Sequence, residues 1–269
     1  MQYDPIKHSL DVFFNRSLFL QKVFYKLLDL LLLRAWYIKR ELKNWKNNTG
    51  ERVSILDAGS GFGQYTYYLS TLSSKWEIKG IDIKSEQIIN CKSFFQKINK
   101  SDKVKFEEAD LTIYKEKNNF DLILSVDVME HIHEDIQVFK NFHYSLKEGG
   151  MLLISTPSDQ GGSNVHDEIE ESFIEEHVRD GYNIDEIEEK LKNAGFSKVE
   201  SRYSYGVPGK ISWKLSMKYP IILVNKSKLF FIILPLYYII VFPISLILNS
   251  FDVNRKHKTG TGLIVKAFK

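Results

Sequence analysis

The densest chemistry in the chain lies in nine residues, Ile55-Leu56-Asp57-Ala58-Gly59-Ser60-Gly61-Phe62-Gly63. Alternating glycines let a backbone approach a ligand closely and accept positive φ. The stretch follows a short apolar run from Val53 and precedes a helical pattern over Gln64–Leu72. It is therefore a turn at the carboxyl end of a strand, where open α/β sheets bind ligands. A nicotinamide dinucleotide fingerprint would need a further glycine where Gln64 stands, and a phosphate-binding P-loop would need Gly-Lys-Ser/Thr.

More acids recur at strand ends. Asp82 lies in Ile81-Asp82-Ile83, 19 residues after Gly63. A carboxylate there accepts hydrogen bonds from ribose hydroxyls. Asp110 follows a third apolar stretch in Ala109-Asp110-Leu111, and Asp127, Glu130 and His131 follow a fourth in Ser125-Val-Asp-Val-Met-Glu-His-Ile132. His131, Asp127 and His133 are candidate general bases. His131 is favoured because imidazole titrates near neutrality. His131, His133, Glu134 and Asp135 are too close in sequence, without a distant partner, to suggest a metal site.

The elements that must position these residues read as alternating strands and helices. Strands are expected over 53–57, 76–83, 104–109, 120–126, 151–155, 196–203 and 262–268. Helices are expected over 64–72, 85–99 (Ser85 as N-cap), 136–146 and 184–193 (closed by Gly195). That alternation specifies a doubly wound parallel sheet. Residues 17–45 add a Leu-rich stretch without Pro or Gly, one long helix or two consecutive ones. It packs on the domain, or in addition dips into a membrane surface or covers an active site.

The pattern Asp57-x-Gly59-x-Gly61-x-Gly63 resembles motif I of class I S-adenosylmethionine-dependent methyltransferases. Asp82, Asp110 with Leu111, the Asp127-x-x-Glu130-His131 stretch, Leu146-Lys-Glu-Gly-Gly150 and Ala194-Gly195-Phe196 resemble later stations of the same family. The resemblance spans about residues 51–205 plus the final strand. It implies an α/β, doubly wound, seven-stranded Rossmann-like sheet with an antiparallel last strand, and S-adenosylmethionine as cofactor. It implies that Asp57, Gly59, Gly61 and Gly63 form the methionine-side loop, that Asp82 with Ile83 holds the ribose, and that Asp110 with Leu111 holds the adenine. Asp127 would border the reacting centre. His177, Arg179 and Tyr182, between strands five and six, would contact the acceptor, with His166 nearby. Tyr3 and His8 would close over the pocket. The stretch around Asp127 resembles that of methyltransferases acting on small molecules, quinones or lipids. A nicotinamide-dependent oxidoreductase and a non-catalytic membrane scaffold remain the other function classes.

Composition refines this. The 269 residues are 43% hydrophobic and carry a net charge of +3, which by itself predicts no nucleic-acid partner. The single cysteine, Cys91, excludes an intrachain disulfide framework and a cysteine-cluster metal site. Asp4, Pro5, Lys7, His8 and Asp11 interrupt any secretion signal, so a cytoplasmic location is expected. The charge is uneven. Residues 159–189 hold 12 acids and one base, whereas 190–269 hold 14 bases and two acids.

The basic part contains Leu229–Phe251, 23 residues without a charge. A straight helix of that length would reach about 34 Å, enough to cross a bilayer. Pro235 and Pro243 should break or kink it. A last strand that rejoins the sheet forbids a single crossing, and a monotopic or re-entrant helical hairpin satisfies both constraints. Lys210, Lys214, Lys218, Lys226 and Lys228 before the run, and Arg255, Lys256 and Lys258 after it, suit an anionic membrane surface. A packed subdomain or a homodimer contact are the alternatives. The expected organisation is an N-terminal helical cap (1–50), a cofactor-binding core (51–205), a basic and apolar insertion (206–258) and the last core strand (259–269). The expected acceptor is a small molecule, lipid-linked or amphipathic, with peripheral membrane contact through 229–251.

Overall fold

The computed structural model describes residues 17–161, 178–227 and 230–269. The expectations for Tyr3, His8, His166 and His177 lie outside these residues.

Seven strands form one sheet: β1 (Ser54–Ala58), β2 (Glu77–Asp82), β3 (Val104–Glu108), β4 (Phe120–Val126), β5 (Leu146–Pro157), β6 (Lys198–Ser204) and β7 (Gly262–Phe268). Their spatial order is β3-β2-β1-β4-β5-β7-β6. Strands β1 to β5 pair in parallel, and β7 runs antiparallel to both β5 and β6. The order reverses between β1 and β4, and that switch point opens the crevice where ligands bind in such sheets. Strand β5 begins at Leu146, earlier than the expected Met151, because Leu146 already pairs with Phe120 ahead of a register shift.

Alternation along the strands divides the core. Ile55, Leu122, Leu124 and Leu153 face one layer, and Leu56, Ile123, Leu152 and Ile154 face the other. The first layer comprises α1 (Leu18–Leu31), α2 (Leu33–Asn47), α3 (Gln64–Leu72) and α4 (Ser85–Lys97). The second comprises α5 (Asp135–Ser145) and α6 (Ile184–Asn193). The Leu-rich stretch is thus two helices, and Tyr25, Leu33, Tyr37, Ile38 and Leu42 bury it into the first layer. Ser17 caps α1 by accepting from the Leu20 N–H at 3.1 Å.

Two local expectations resolve at their caps. Lys84, not Ser85, is the N-cap of α4; its carbonyl accepts from Gln87 and Ile88, while Ser85 is the first helical residue and donates its hydroxyl to Glu108. Gly195, at φ 110°, ends α6. Its N–H reaches the Lys192 carbonyl and the Phe196 N–H reaches that of Leu191, the bond pair of a Schellman closure.

The insertion is a helical hairpin. Its first arm runs through α7 (Val207–Trp213), a π-helical turn (Lys214–Lys218) and α8 (Tyr219–Lys226); its second is α9 (Phe230–Asn254). Of the break or kink expected at the prolines, the break does not occur, and α9 continues through Pro235 and Pro243. Both prolines lie on its exposed side, away from the packed interface. The chain leaves the sheet after β6 and returns to β7, as the antiparallel last strand requires.

Candidate active site at the sheet switch point

The glycine loop is pinned to the end of β2. The N–H groups of Gly59 and Ser60 both donate to the Ile81 carbonyl, at 2.9 and 2.8 Å. Gly61 N–H donates to Asp82 Oδ2 at 2.9 Å, and Lys84 N–H donates to Oδ1 of the same side chain at 2.9 Å. Asp82 therefore shapes the loop while each oxygen keeps a lone pair for a further donor. Ile83 beside it is exposed. Gly59, Gly61 and Gly63 all adopt positive φ, at 79°, 50° and 77°. At Gly59 a Cβ would fall 2.3 Å from Val128 Cγ2, so the turn after β1 lies directly against the turn after β4.

Asp57 lies behind this loop, 2% exposed. Its Oδ2 accepts the Thr66 hydroxyl at 2.5 Å, which ties β1 to the first turn of α3. Burial pushes its carboxyl up to about 6; the Thr66 bonds work against that shift, and nearby Asp82 adds to it.

Asp110 folds back on itself. Its Oδ1 accepts from both the backbone N–H and the hydroxyl of Thr112, each at 2.8 Å. Leu111 is buried beside α5, and its carbonyl accepts from the Asn141 side chain at 2.9 Å.

Asp127 sits at φ 52°, its N–H held by the Ser155 carbonyl. Its Oδ2 meets Arg34 Nη1 at 2.6 Å. Glu130, 1% exposed, accepts from the Thr156 hydroxyl at 3.1 Å. Burial, reinforced by the charge of Asp127, pushes the Glu130 carboxyl well above the usual carboxylate range. His131 closes the same short helical turn and is exposed.

Arg179 and Tyr182 converge on one residue, Asp135 at the start of α5. Arg179 pairs with its carboxylate and donates to the Ile132 carbonyl. Tyr182, fully buried, donates to Asp135 at 2.8 Å, and Lys190 donates to it at 2.9 Å. Burial alone would raise the Asp135 carboxyl; the bonds from Lys190 and Tyr182 and the charge of Arg179 outweigh it and hold it below its ordinary value. Arg179 and Tyr182 thus brace the loop that carries Asp127, Glu130 and His131.

The N-terminal helices roof the site. Tyr25 donates its hydroxyl to the Phe62 carbonyl at 2.6 Å, the Gln64 amide donates to Asp29 at 2.8 Å, and Phe24 stacks edge-on to Phe62. Arg34 and Tyr65, which sequence reasoning missed, come from α2 and α3. Arg34 lies within a Leu-rich helix with no spacing signal, and only the fold brings it to β4.

A family model described as a methyltransferase domain matches residues 50–204. The chain is 32% identical over 155 residues to phosphoethanolamine N-methyltransferase 1 of Triticum aestivum, covering 54% of this chain and 28% of that enzyme. It is 29% identical over 129 residues to a ubiquinone biosynthesis O-methyltransferase of Pelagibacter ubique, covering 46% of this chain and 52% of that protein. The chain thus spans less than two thirds of the length of these relatives. Phosphoethanolamine N-methyltransferase 2 of Haemonchus contortus, solved with S-adenosyl-L-methionine, superposes with a TM-score of 0.59 at 18% identity, over 91% of this chain and 60% of that one. A putative sarcosine dimethylglycine methyltransferase of Galdieria sulphuraria gives 0.58 at 17% identity, over 87% and 84%. With its glycine loop, strand-end acids and antiparallel last strand in that arrangement, the chain belongs to the methyltransferase-domain family, and its fold is that of class I S-adenosylmethionine-dependent methyltransferases.

Proposed function

We propose that this chain transfers a methyl group from S-adenosylmethionine to a small, amphipathic or lipid-linked acceptor at an anionic membrane surface. When bound, the cofactor supplies an electrophilic methyl on a sulfonium centre. The loop Asp57–Gly63 would hold its methionine end, Asp82 with Ile83 the ribose, and Asp110 with Leu111 the adenine. The remaining work is alignment of the acceptor and exclusion of water. Asp127 borders the reacting centre from β4, and His131 accepts the acceptor's proton where the nucleophile carries one. The family match supports methyl transfer, and the wheat and Pelagibacter enzymes, by their names, act on small molecules.

One observation carries the membrane part: the hairpin is polar inside and apolar outside. Gly209, Ser212, Ser216, Ser245, Asn249 and Asp252 are buried between its arms. Ser212 donates across to the Ser245 carbonyl at 3.2 Å, and Tyr238 donates back to that of Ser216 at 2.8 Å. On the opposite face of α9, Ile232, Leu236, Ile239, Ile240, Ile247 and Phe251 are each half or more exposed. Water favours the reverse arrangement, and lipid favours this one. Lys210, Lys214 and Lys218 recur every four residues along the first arm, and Arg255, Lys256 and Lys258 follow α9. Each basic residue near an anionic leaflet contributes about 1 kcal/mol. The arms start and end at the sheet, so the docked hairpin holds the core on the cytoplasmic side.

The test combines two measurements. Vesicles of phosphatidylglycerol should carry the protein in flotation at low salt, and phosphatidylcholine vesicles should carry much less. Methyl label from S-adenosylmethionine should enter a membrane lipid extract. Protein that stays with the aqueous fraction defeats the docking, and dimers in light scattering would give the apolar face to a second copy. Calorimetry that shows NADH binding in place of S-adenosylmethionine defeats the methyltransferase reading, and a His131→Ala enzyme with normal turnover removes the proposed base.

A further inference from the structure

The outer face of α9 changes character in its last two turns. From Leu236 through Ile240 to Ile247 it is apolar and exposed. That stretch is about 16 Å long on a helical rise, close to the hydrocarbon depth of one leaflet, half of about 30 Å. At its end Ile247, Ser250, Phe251, Asn254 and Arg255 line a groove of about 380 Å³. Ile247 and Phe251 make one wall apolar. Ser250, Asn254 and Arg255 give the other a hydroxyl, an amide and a guanidinium. A groove with both kinds of wall, continued by an apolar track, fits an amphiphile better than a bare ion.

The charges around the groove fix the sign of that amphiphile. Arg255 turns back along the helix, and its guanidinium lies over the Phe251 ring, 5.3 Å from the centroid. That contact orients the plane of the group and leaves its N–H edges open. Among the described residues, Arg255, Lys256 and Lys258 make no ion pair. Asp252, the single acid in residues 206–258, is buried on the opposite face and is held by Tyr37 and the Gly209 N–H. Cations that follow a helix also offset the partial negative charge of its last carbonyls. The Arg255 guanidinium does not serve that end, because it points a full turn back; the Asn254 amide donates to the Ser250 carbonyl there, at 2.9 Å.

We infer that this groove seats the phosphate of an anionic phospholipid, with an acyl chain lying along the face from Leu236 to Ile247. Arg255 pairs with the phosphate oxygens, the Ser250 hydroxyl donates to them, and Lys256 and Lys258 add positive charge. This rests on the membrane reading above and sharpens it. The hairpin then holds one lipid at a defined place, in addition to responding to the mean charge of the surface.

The test is calorimetry on the full chain with dihexanoyl phosphatidylglycerol, kept below its micelle concentration so that single lipids are titrated. Wild-type protein should bind one lipid per chain. Glycerol 3-phosphate, which carries the phosphate without the chains, should bind at least about 10-fold more weakly. Arg255→Gln should weaken the lipid about 10-fold or more, the range of a charge-assisted pair. Arg255→Lys should fall between, because it keeps the charge and loses the planar fork. Ile247→Ser should weaken the lipid about 3-fold and leave glycerol 3-phosphate unchanged. All three variants change exposed side chains, and an unchanged urea midpoint shows that each is folded. Arg255→Gln protein with undiminished lipid affinity overturns the seat. Glycerol 3-phosphate bound as tightly as the lipid makes this a free-phosphate site and overturns it as well. Wild-type protein that floats with phosphatidylglycerol vesicles but binds no single lipid overturns the seat alone. Wild-type protein that does neither overturns the membrane reading along with it.

Discussion

Tyr37 donates its hydroxyl to Asp252 at 2.6 Å, across 215 residues of chain. Asp252 is fully buried at the base of the hairpin and also accepts from the Gly209 N–H at 2.9 Å, while His257 lies 3.3 Å away. Arg40 donates to the neighbouring Val253 carbonyl. Both arms of the hairpin are therefore tied to α2. A Cβ on Gly209 would lie 2.8 Å from the Asp252 carboxyl carbon, so the close approach of the arms requires glycine there.

Removing that anchor should be costly. Asp252→Ala leaves the buried Gly209 N–H unpaired and the Tyr37 hydroxyl with only the residue 252 carbonyl, at 3.0 Å, and about 2–3 kcal/mol of stability should be lost. Tyr37→Phe removes one donor and should cost roughly 1–2 kcal/mol. Urea unfolding measures both. Proteolysis should then cut the Asp252→Ala protein near residue 206 before the core, and an unchanged cleavage pattern would contradict the anchor.

Gly59→Ala should abolish cofactor binding with a stability loss of about 1–3 kcal/mol. Its φ of 79° disfavours any side chain, and its Cβ would collide with Val128. Gly61→Ala meets only Gln87 Oε1 at 3.6 Å, so the strain of its φ is the main cost. Titration of S-adenosylhomocysteine into both variants should show the larger loss at Gly59.

Asp57 predicts a pH dependence of stability. Burial raises its folded carboxyl to about 6, above its unfolded value, so the native state holds its proton more tightly. Its contribution is fully present below about pH 4 and is lost as pH rises to about 6, on the order of 2 kcal/mol. Asp57→Asn keeps an acceptor for Thr66 and should remove this slope. Denaturation of both proteins between pH 4 and 7 checks it, and parallel curves would refute it.

Asp135 predicts the opposite sign. Against the penalty of burial, Lys190, Tyr182 and Arg179 hold its carboxyl below the ordinary value. The stability it contributes is present above about pH 4 and is lost as pH falls through the lowered value. Arg179→Ala should make acid unfolding begin at higher pH and, by loosening the turn over Asp127–His131, lower kcat more than it changes cofactor affinity. Normal turnover with a normal acid transition would rule out the bracing role.

Local chemistry made much of this protein legible in its sequence. The glycines at 59, 61 and 63, the acid-terminated apolar strands and the helix closed by Gly195 depend on backbone sterics and short periodicities, which act within a few residues. Long-range contact decided the rest. Nothing near Arg34 in sequence indicates that it meets Asp127, and nothing near Tyr182 indicates that its hydroxyl belongs to Asp135. Two prolines argued for a broken or kinked helix, but the helix is continuous and both lie on the side turned away from the packed interface, a side that only the hairpin defines. The sequence determined the sheet and the cofactor loop because repeating patterns encode them. The tertiary structure decided which charges face one another across the crevice, because pairing energy depends on distance in space.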